Sequence, residues 1–237
     1  MKKIRYLAII PARAGSERIK DKNLIIINGT PLIGIAIKEA IKTKLFSKVI
    51  ISTDSKKYYE IAKNYGADSS FIRPKNISSS TSSDFEHINF QIEKLKKNKE
   101  TFDVFVILRP TNPFRNHKTI KRAIKLFEKN SNFVDSLRAV RLVKDHPFKM
   151  WAINGLTMNP IFPFKDQRGF NYHSIQKKSL PELYIQSAMI EISWIKNLEK
   201  KSISGDRIMP FLSSEKENFD INEPEDLIYL DILNKKH

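Results

Sequence analysis

Apolar and amphipathic segments alternate from the start of the 237-residue chain, and this alternation constrains the fold more than any other feature. Residues 4–10 form a mostly apolar run that ends at Pro11, which is typical of a strand buried on both faces. Residues 30–42 then have apolar side chains at helical spacing, and residues 48–52 form another short β-branched run. Strands that alternate with helices predict a parallel sheet with crossover helices.

The same patterns continue to the end of the chain, with one interruption. They predict helices over residues 56–65, 84–97, 117–129 and 224–233, and strands over residues 104–108, 133–143, 183–194 and 207–212. Between residues 144 and 181, prolines, glycines and aromatic residues break the pattern. Exposed aromatic side chains in such an excursion are typical of a segment that covers a partner or a ligand. The sequence therefore predicts a single α/β domain over residues 1–237: a doubly wound, mostly parallel, Rossmann-like sheet with a protruding insertion over residues 144–181.

The composition excludes several classes of protein. The chain has no cysteine, which excludes zinc fingers, thiol nucleophiles and disulfide frameworks. Its apolar start is too short for a signal peptide, and no stretch reaches the roughly twenty apolar residues of a membrane-spanning helix. We therefore expect a soluble, cytoplasmic protein with no membrane partner.

The net charge of +16 has two interpretations. One is a nucleic-acid-binding protein, since Lys and Arg side chains neutralise phosphates. The other is a compositional bias that scatters lysines over solvated helix faces. Because the lysines are dispersed and no RNA- or DNA-binding motif accompanies them, we favour the second and expect no nucleic-acid partner. A surplus of positive charge also suits anionic substrates.

The loop that follows the first strand, PARAGSERIKDKN, has the composition of a phosphate-binding loop. Gly15 and Ser16 allow backbone N–H groups to approach a phosphate, and Arg13 and Lys22 bring positive charge to it. Asn23 can contact a ribose hydroxyl or a phosphate oxygen. The loop has neither a Walker G-K-[ST] ending nor a G-x-G-x-x-G pattern. The alternative is an ordinary basic surface loop.

Several motifs, in order along nearly the whole chain, carry a family resemblance. They are Pro11-Ala12-Arg13-Ala14-Gly15-Ser16 with Lys22-Asn23, Ser52-Thr53-Asp54, Arg73-Pro74 with Thr81 and Ser83, Pro110-Thr111-Asn112-Pro113-Phe114-Arg115, His146-Pro147-Phe148-Lys149 and Phe219-Asp220-Ile221-Asn222. With these motifs the chain resembles the acylneuraminate cytidylyltransferases, the enzymes that make CMP-sialic acid and its relatives. The opening motif is specific to the family. Each later motif alone is weak evidence, but together, in the family's order and spacing, they support the resemblance strongly.

The resemblance implies a binding site for CTP. The implied residues are Arg13, Ser16, Lys22 and Asn23 around the triphosphate and nucleotide, and Arg73, Thr81 and Ser83 around the cytosine. Cytosine presents an amino donor beside acceptor atoms, which backbone carbonyls and hydroxyls can recognise. The alternatives are a surface charge at Arg73 and a helix N-cap at Thr81 or Ser83.

The resemblance also implies a site for a sugar acid, with Arg109, Lys149, Lys177 and Gln186 as its contacts. Where the family usually has glutamine, this chain has Arg109, which either pairs with an anionic substrate group or forms a structural salt bridge. Relatives often have R-Q-x-L-P where this chain has KKSLP from Lys177, and Asn-Gly where it has Gln186 and Ser187. The Gln-Ser pair resembles the branch of the family that uses legionaminic acid.

A metal site is implied by the last motif. The family commonly has two aspartates spaced by one residue, which project the same way from an extended chain to bind magnesium. Here Asp220 is retained and Asn222 takes the second position, where it offers a carbonyl oxygen without charge. The resemblance therefore implies Mg²⁺ as cofactor, with Asp220 as its main protein ligand and Asn222 as the second. The alternative is that one of the two caps the final helix.

The implied reaction is attack by the anomeric hydroxyl of a nine-carbon, nonulosonic sugar acid on the α-phosphorus of CTP, with release of pyrophosphate. Arg13, Lys22 and metal held by Asp220 would be the catalytic groups, because such transfers need alignment and neutralised charge. In the family the insertion reaches a second subunit, so we expect a homodimer. Three alternatives stay open: transfer to the eight-carbon sugar Kdo, a catalytically inert nucleotide-binding module, and a nucleic-acid-binding protein.

Overall fold

The computed structural model describes residues 3–235, with side chains described through residue 230. Its strands are β1 (Tyr6–Pro11), β2 (Ile26–Ile27), β3 (Thr30–Pro31), β4 (Phe46–Ser52), β5 (Val104–Ile107), β6 (Ser136–Leu142), β7 (Trp151–Asn154), β8 (Thr157–Pro160), β9 (Tyr184–Trp194) and β10 (Ile208–Leu212). Its α-helices are α1 (Leu32–Lys42), α2 (Lys56–Asn64), α3 (Asp84–Lys97), α4 (His117–Asn130) and α5 (Glu225–Lys235). Every helix predicted from the sequence is present, with small differences at the ends.

The main sheet has six strands in the order β10-β6-β9-β5-β1-β4. Strands β4, β1 and β5 are parallel neighbours, and Leu7 of β1 is in register with Lys48 and Phe105. Strand β9 lies between β5 and β6 and runs antiparallel to β5, with Glu191 opposite Ile107. The predicted doubly wound, mostly parallel α/β fold is confirmed. The antiparallel strand was not predicted, because the pattern of a strand does not state its direction.

Helices cover both faces of the parallel part of the sheet. On one face, Ile33 of α1, Tyr58 of α2 and Phe127 of α4 belong to a single buried cluster with alternate residues of β1 and β5. On the other face, Ile88 and Leu95 of α3 pack with the intervening residues of the same strands. A strand buried on both faces must be apolar throughout, which explains the continuous run at the start of the chain.

Polar side chains fix where three of the helices begin. The hydroxyl of Ser55 accepts a hydrogen bond from the backbone N–H of Tyr58, at 3.3 Å. Ser83 and Glu86 form a reciprocal capping box at the start of α3. Asn116 accepts hydrogen bonds from the first turn of α4. These caps satisfy backbone donors that a helix start leaves without intrahelical partners.

The first helix begins later than the predicted residue 30. Thr30 and Pro31 form β3, which pairs antiparallel with β2. Helical conformation therefore starts at Leu32, and Pro31 stays extended as the residue before it. This short hairpin lies between the loop after β1 and the start of α1.

Residues Val140–Gln186 form a second compact unit, which contains the segment 144–181. Its β7 and β8 pair as an antiparallel hairpin. Beside the hairpin, Phe148 stacks on Tyr172 with ring centroids 4.8 Å apart and also packs against Phe162 and Phe164. Several large apolar side chains of this unit are exposed, among them Ile153, Leu156, Met158, Ile161, Phe164 and Phe170.

The helices of the described chain are short. The longest, α3 and α4, have 14 residues each. Within residues 3–235, no helix combines the length and the apolar character that crossing a membrane requires.

Candidate active site

The loop after β1 is fixed by hydrogen bonds to its surroundings. The backbone N–H of Ala14 donates to the Asp54 carboxylate at 2.8 Å, and Asn23 Nδ2 donates to the backbone oxygen of Arg13 at 3.1 Å. Gly15 has a φ of +74°, a left-handed conformation that favours glycine. A Cβ at Gly15 would meet nothing within 4 Å, so the space beside this backbone is open to a ligand. The structure thus places an open turn, held by hydrogen bonds, at the carboxyl end of β1.

Two further predicted nucleotide residues extend from this loop. Ser16 is half-buried. The Nη1 atom of Arg13 lies 3.5 Å from the backbone oxygen of Ser78, the outer limit of a hydrogen bond. Arg13 therefore lies beside the stretch that leads to Thr81 and Ser83. Their contacts with a nucleotide stay predictions.

Arg73 is a buried structural cation and not a surface charge. Its side chain is only 6% exposed, and its Nε donates to the hydroxyl of Ser52 at 2.8 Å. Burial lowers the pKa of Arg73 to about 10, which leaves it protonated at neutral pH. The surface-charge alternative for this residue is wrong. Its contact with cytosine stays a prediction.

The N-cap alternative is confirmed for Ser83. Its hydroxyl accepts from the backbone N–H of Glu86, and its own N–H donates to the Glu86 carboxylate at 2.6 Å. Thr81 is exposed, with its hydroxyl 3.0 Å from that of Ser79. Capping and base contact are compatible roles, so the cytosine contacts of Thr81 and Ser83 remain predictions.

Lys22 joins the loop after β1 to the C-terminal acidic segment. Its Nζ donates to the backbone oxygen of Ile221 at 3.0 Å. Burial lowers the pKa of Lys22, and the negative charge of Asp220 opposes this shift. The predicted phosphate-binding lysine and the predicted metal ligand are therefore neighbours.

The segment from Asp220 to Asn222 is held between this loop and the final helix. The backbone N–H of Ile221 donates to the backbone oxygen of Thr111 at 2.9 Å. Asn222 Nδ2 donates to Asp220 Oδ2 at 3.0 Å. Asp220 Oδ1 is buried and has no hydrogen-bond partner among the described residues.

A carboxylate in the first turn of the final helix binds the backbone that leads into it. Asp226 accepts from the backbone N–H groups of Asn222 and Glu223 at 2.7 and 2.8 Å. The side chain of Asp220 is instead paired with that of Asn222. The alternative in which Asp220 or Asn222 caps this helix therefore has no support from these hydrogen bonds.

Arg109 is held by two carboxylates at the end of β5. Its Nη1 and Nη2 donate to the two oxygens of Asp84 at 3.3 and 2.6 Å, and Nη2 also donates to Glu191 at 2.9 Å. His87 Nε2 lies 3.1 Å from Asp84 Oδ1, and Arg138 Nη2 lies 2.9 Å from Glu191 Oε2. The salt-bridge alternative for Arg109 is confirmed, while its contact with a sugar stays a prediction.

The partners of Arg109 were not predicted from the sequence as site residues. One signal was available: Glu191 interrupts the otherwise apolar stretch MIEI of β9. A carboxylate in a buried strand requires a cationic or hydrogen-bonding partner. This signal does not identify the cation that pairs with Glu191, because the order of strands in the sheet determines the pairing.

Arg115 ends one of the sequence motifs, but no role was predicted for it. It is 1% exposed, and its Nη1 donates to the backbone oxygens of Arg109 and Met189 at 3.0 and 2.8 Å. Its Nε and Nη2 have no partner among the described residues. Burial lowers its pKa to about 9, opposed by the charge of Asp220. Arg115 thus fixes the turn after β5 from inside.

The other predicted sugar contacts belong to the second unit. Lys149 Nζ donates to the backbone oxygen of His173 at 3.1 Å, and Lys177 Nζ donates to that of Lys144. Gln186 is exposed at the end of the unit. The roles of Lys149, Lys177 and Gln186 toward a sugar stay predictions.

The first unit, residues Met1–Ala139 and Ser187–His237, brings the remaining site residues together. The pKa of Arg73 is shifted by the charges of four neighbours, Asp54, Asp84, Arg13 and Arg109. The pKa of Lys22 is likewise shifted by the charges of Asp220, Arg18, Glu223 and Asp226. Most of these residues follow β1, β4 or β5, and the others lie at the start of α3 or at and just before the start of α5. They therefore collect at the carboxyl edge of the parallel strands, where α/β sheets bind ligands.

A family model for cytidylyltransferases matches residues 7–150. The chain belongs to the cytidylyltransferase family. The family prediction drawn from the motifs is thereby confirmed, and with it the prediction of a nucleotidyltransferase. Among curated relatives, the CMP-N,N′-diacetyllegionaminic acid synthase of Legionella pneumophila is 30% identical over 224 residues, which cover 94% of this chain and 93% of that protein.

Two other relatives are matched over part of their length. The N-acylneuraminate cytidylyltransferase of Escherichia coli is 27% identical over 98% of this chain and 53% of that protein. A pseudaminic acid cytidylyltransferase of Campylobacter jejuni is 36% identical over 54% of this chain and 56% of that protein. This cytidylyltransferase therefore spans about half the length of the Escherichia coli relative.

Solved structures share the fold. The CMP:2-keto-3-deoxy-manno-octonic acid synthetase complexed with CTP has a TM-score of 0.69 at 14% identity, over 98% of this chain and 99% of that one. A 4-diphosphocytidyl-2C-methyl-D-erythritol synthase from Anaerococcus prevotii has a TM-score of 0.61 at 15% identity, over 99% of this chain and 100% of that one. At these identities the likeness shows a common architecture alone.

Proposed function

We propose that this cytidylyltransferase transfers CMP from CTP to the anomeric hydroxyl of a nonulosonic, nine-carbon sugar acid and releases pyrophosphate. The observation that supports it most is the 3.0 Å hydrogen bond from Lys22 to Ile221, which joins a phosphate-binding loop to the segment of Asp220. Cations and an acidic residue at one edge of an α/β sheet suit transfer from a nucleoside triphosphate. The nearly full-length likeness to the Legionella enzyme supports a nonulosonic acid as acceptor.

The protein's part in this transfer is alignment and neutralisation of charge. The anomeric oxygen forms a bond to the α-phosphorus, the bond from that phosphorus to pyrophosphate breaks, and the hydroxyl proton is lost to water. The open backbone at Gly15 and Ser16 binds the phosphates, while Arg13 and Lys22 orient them and offset their charge. No covalent intermediate on the protein is required.

We propose Mg²⁺ as the cofactor, with Asp220 and the side-chain oxygen of Asn222 as its protein ligands. Asp220 Oδ1 is buried without a hydrogen-bond partner in the described chain, which suits a cation that prefers oxygen. Among the side chains that the structure describes, residues 3–230, no group of three His, Cys, Asp or Glu could hold a metal. Triphosphate oxygens would therefore complete the set of ligands. When bound, the ion offsets charge on the reacting phosphates.

We propose that the enzyme is a homodimer. The second unit exposes a set of large apolar side chains, with Ile153 at 81% and Leu156 at 107% of full exposure. In the first unit, β10 also exposes Ile208 and Leu212. Exposed apolar side chains in such number favour cover by a second copy. Light scattering at micromolar concentration tests this, and a fully active monomer would contradict it.

We also propose that the reaction takes place in the cytoplasm, where CTP is made. The net charge of +16 suits the two anionic substrates, CTP and a sugar acid. The proposal therefore needs neither a nucleic-acid nor a membrane partner.

Release of pyrophosphate tests the proposed function. CTP, UTP and ATP are each incubated with Mg²⁺ and with N-acylneuraminic, N,N′-diacetyllegionaminic, pseudaminic or 2-keto-3-deoxy-manno-octonic acid. We expect turnover with CTP and at least one nine-carbon acid. Comparable turnover with ATP would contradict the nucleotide, and preference for the octonic acid would favour the Kdo alternative. If no pair of nucleotide and sugar acid releases pyrophosphate, the result would favour the alternative of a catalytically inert nucleotide-binding module.

A further inference from the structure

We propose that Arg109 donates to an uncharged oxygen of the acceptor sugar and does not pair with the sugar's carboxylate, because its neighbours already hold and neutralise its guanidinium. Those neighbours, Asp84, Glu191 and Arg138, are then positioning residues that decide which group of the acceptor meets Arg109. The inference rests on the proposed transfer to a sugar acid and specifies how that site selects its substrate.

The carboxylates that hold Arg109 are themselves fixed. Asp84 is the first residue of α3, and Glu191 lies in β9 opposite Ile107 of β5. Asp84 uses both of its oxygens on Arg109, and Glu191 uses one oxygen on Arg109 and the other on Arg138. Both anchors are on regular elements and not on loops. Arg109 cannot turn toward a substrate anion without breaking these contacts.

The four charged side chains of this cluster balance. Two guanidinium groups, Arg109 and Arg138, face the carboxylates of Asp84 and Glu191. Burial alone would raise the pKa of Asp84, but hydrogen bonds from His87 and Arg109 hold it well below its usual range. Burial alone would lower the pKa of Arg109, but Asp84 and Glu191 raise it above its usual range. Asp84 and Arg109 therefore stay ionised at neutral pH. Two carboxylates face two guanidinium groups in this cluster, so their formal charges sum to zero.

His87 contacts this cluster without adding charge to it. Burial lowers its pKa, and the nearby cation Arg73 adds to that effect against the pull of Asp84. Because Arg73 Nε donates to Ser52 Oγ at 2.8 Å, the Ser52 hydroxyl can donate to His87 Nδ1, 3.3 Å away. The proton on Nε2 then faces Asp84. A neutral His87 satisfies every partner in this chain of contacts.

Part of Arg109 remains accessible at the candidate site. Its side chain is 25% exposed. Arg109 lies two residues after the end of β5 and within electrostatic reach of Arg73. A guanidinium still donates hydrogen bonds when its charge is balanced. Its attraction for a distant anion is lost, however, because the fields of the paired charges cancel. Such a group suits a hydroxyl or acyl oxygen and leaves the carboxylate to another cation.

The test compares an acceptor acid with its own carboxamide, which removes the charge and keeps the shape. The association constants of both, taken as reciprocal inhibition constants, are measured with the intact enzyme, with Glu191→Gln and with the double variant Arg109→Gln/Glu191→Gln. The readout is the association constant of the acid divided by that of the carboxamide. The double variant removes one charge of each sign, so the cluster stays neutral. Arg122→Gln is the control, since Arg122 pairs with Glu217 at 3.0 Å in an exposed position on α4.

We expect the double variant to keep the acid-to-carboxamide ratio within about twofold, while both ligands bind more weakly. Glu191→Gln alone should raise that ratio by about fivefold, because it uncovers the charge of Arg109. A fall of tenfold or more in the double variant would show that Arg109 holds the carboxylate and would overturn the proposal. An unchanged ratio in Glu191→Gln would also overturn it, because Arg109 would then not be neutralised by Glu191.

The outcome is separate from that of the proposed function. If no sugar acid supports release of pyrophosphate from CTP, the proposed function fails and the ratio has no meaning. If turnover occurs, the ratio alone decides the role of Arg109. Thermal unfolding of each variant, with and without CTP, shows whether the fold and the nucleotide site are retained.

Discussion

Lys22 Nζ donates a hydrogen bond to the backbone carbonyl of Ile221, 3.0 Å away, across 199 residues of sequence. The bond ties the loop after β1 to the segment that contains Asp220. Burial lowers the pKa of Lys22 while Asp220 opposes the shift. The charge that the loop offers to a phosphate therefore depends on the burial and the carboxylate that surround this ammonium.

A first prediction concerns the pH dependence of kcat/KM for CTP. The protonated ammonium of Lys22 is the form that offsets phosphate charge, and its pKa lies below the ordinary 10.5. We therefore expect kcat/KM to fall as the pH rises through this lowered pKa. Lys22→Arg should move the fall to higher pH, because a guanidinium stays charged. Release of pyrophosphate at subsaturating CTP measures the profile, and an identical profile in Lys22→Arg would assign the fall to another group.

A second prediction separates a phosphate-binding loop from a basic surface loop. Arg13→Ala should lower kcat/KM by about a hundredfold, because it removes a charge that positions the triphosphate. Lys20→Ala is the matched control, since Lys20 is an exposed lysine of the same loop. Its kinetics should match those of the intact enzyme. If Arg13→Ala and Lys20→Ala behave alike, the loop has no role in catalysis.

A third prediction concerns the cap of α3. Ser83→Ala should lower the free energy of unfolding by about 1 kcal/mol, because the backbone donors of the first turn lose their acceptor. Ser83→Asn should retain most of the stability, since asparagine is also a good N-cap. Urea unfolding measures both, with Ser80→Ala at an exposed position as control. Equal stability of Ser83→Ala and Ser80→Ala would contradict the capping role.

Parallel measurements of CTP affinity separate the two roles of Ser83. If the hydroxyl also contacts cytosine, Ser83→Asn keeps its stability and loses affinity for CTP. If Ser83 only caps the helix, affinity follows stability in both variants. The measurement is titration calorimetry with CTP.

Much of the fold follows from local sequence. The start of α2 at Lys56 follows from the N-cap Ser55, and its end at Asn64 is followed by Gly66, whose φ of +94° suits glycine. The apolar run that ends at Pro11 forms β1, an interior strand of the main sheet. These features depend on residues that are close in the chain, which is why the sequence predicts them.

The contacts of Arg109 depend on sheet order, which the sequence does not state. Asp84 and Glu191 are 25 and 82 residues away in the chain. Glu191 meets Arg109 because β9 pairs antiparallel with β5 in the sheet. Asp84 meets it because α3 packs on one face of that sheet. The burial of Arg115 was also not predicted, since arginine is seldom fully buried and nothing near it in sequence signals burial.

The final prediction concerns Asp220 and Asn222. Because Asn222 is neutral and no cluster of three metal-binding side chains occurs in the described chain, the protein alone should bind Mg²⁺ weakly, and CTP should bring most of the ion. Asp220→Asn should remove most turnover and leave CTP affinity and the unfolding temperature nearly unchanged. Asn222→Asp should keep activity and lower the Mg²⁺ concentration for half-maximal rate, because it adds charge at a cation that prefers oxygen ligands. Titrations of Mg²⁺ at saturating CTP, with calorimetry of Mn²⁺ binding to each protein, measure both effects. Near-normal rates and an unchanged Mg²⁺ requirement in Asp220→Asn would place the ligand elsewhere.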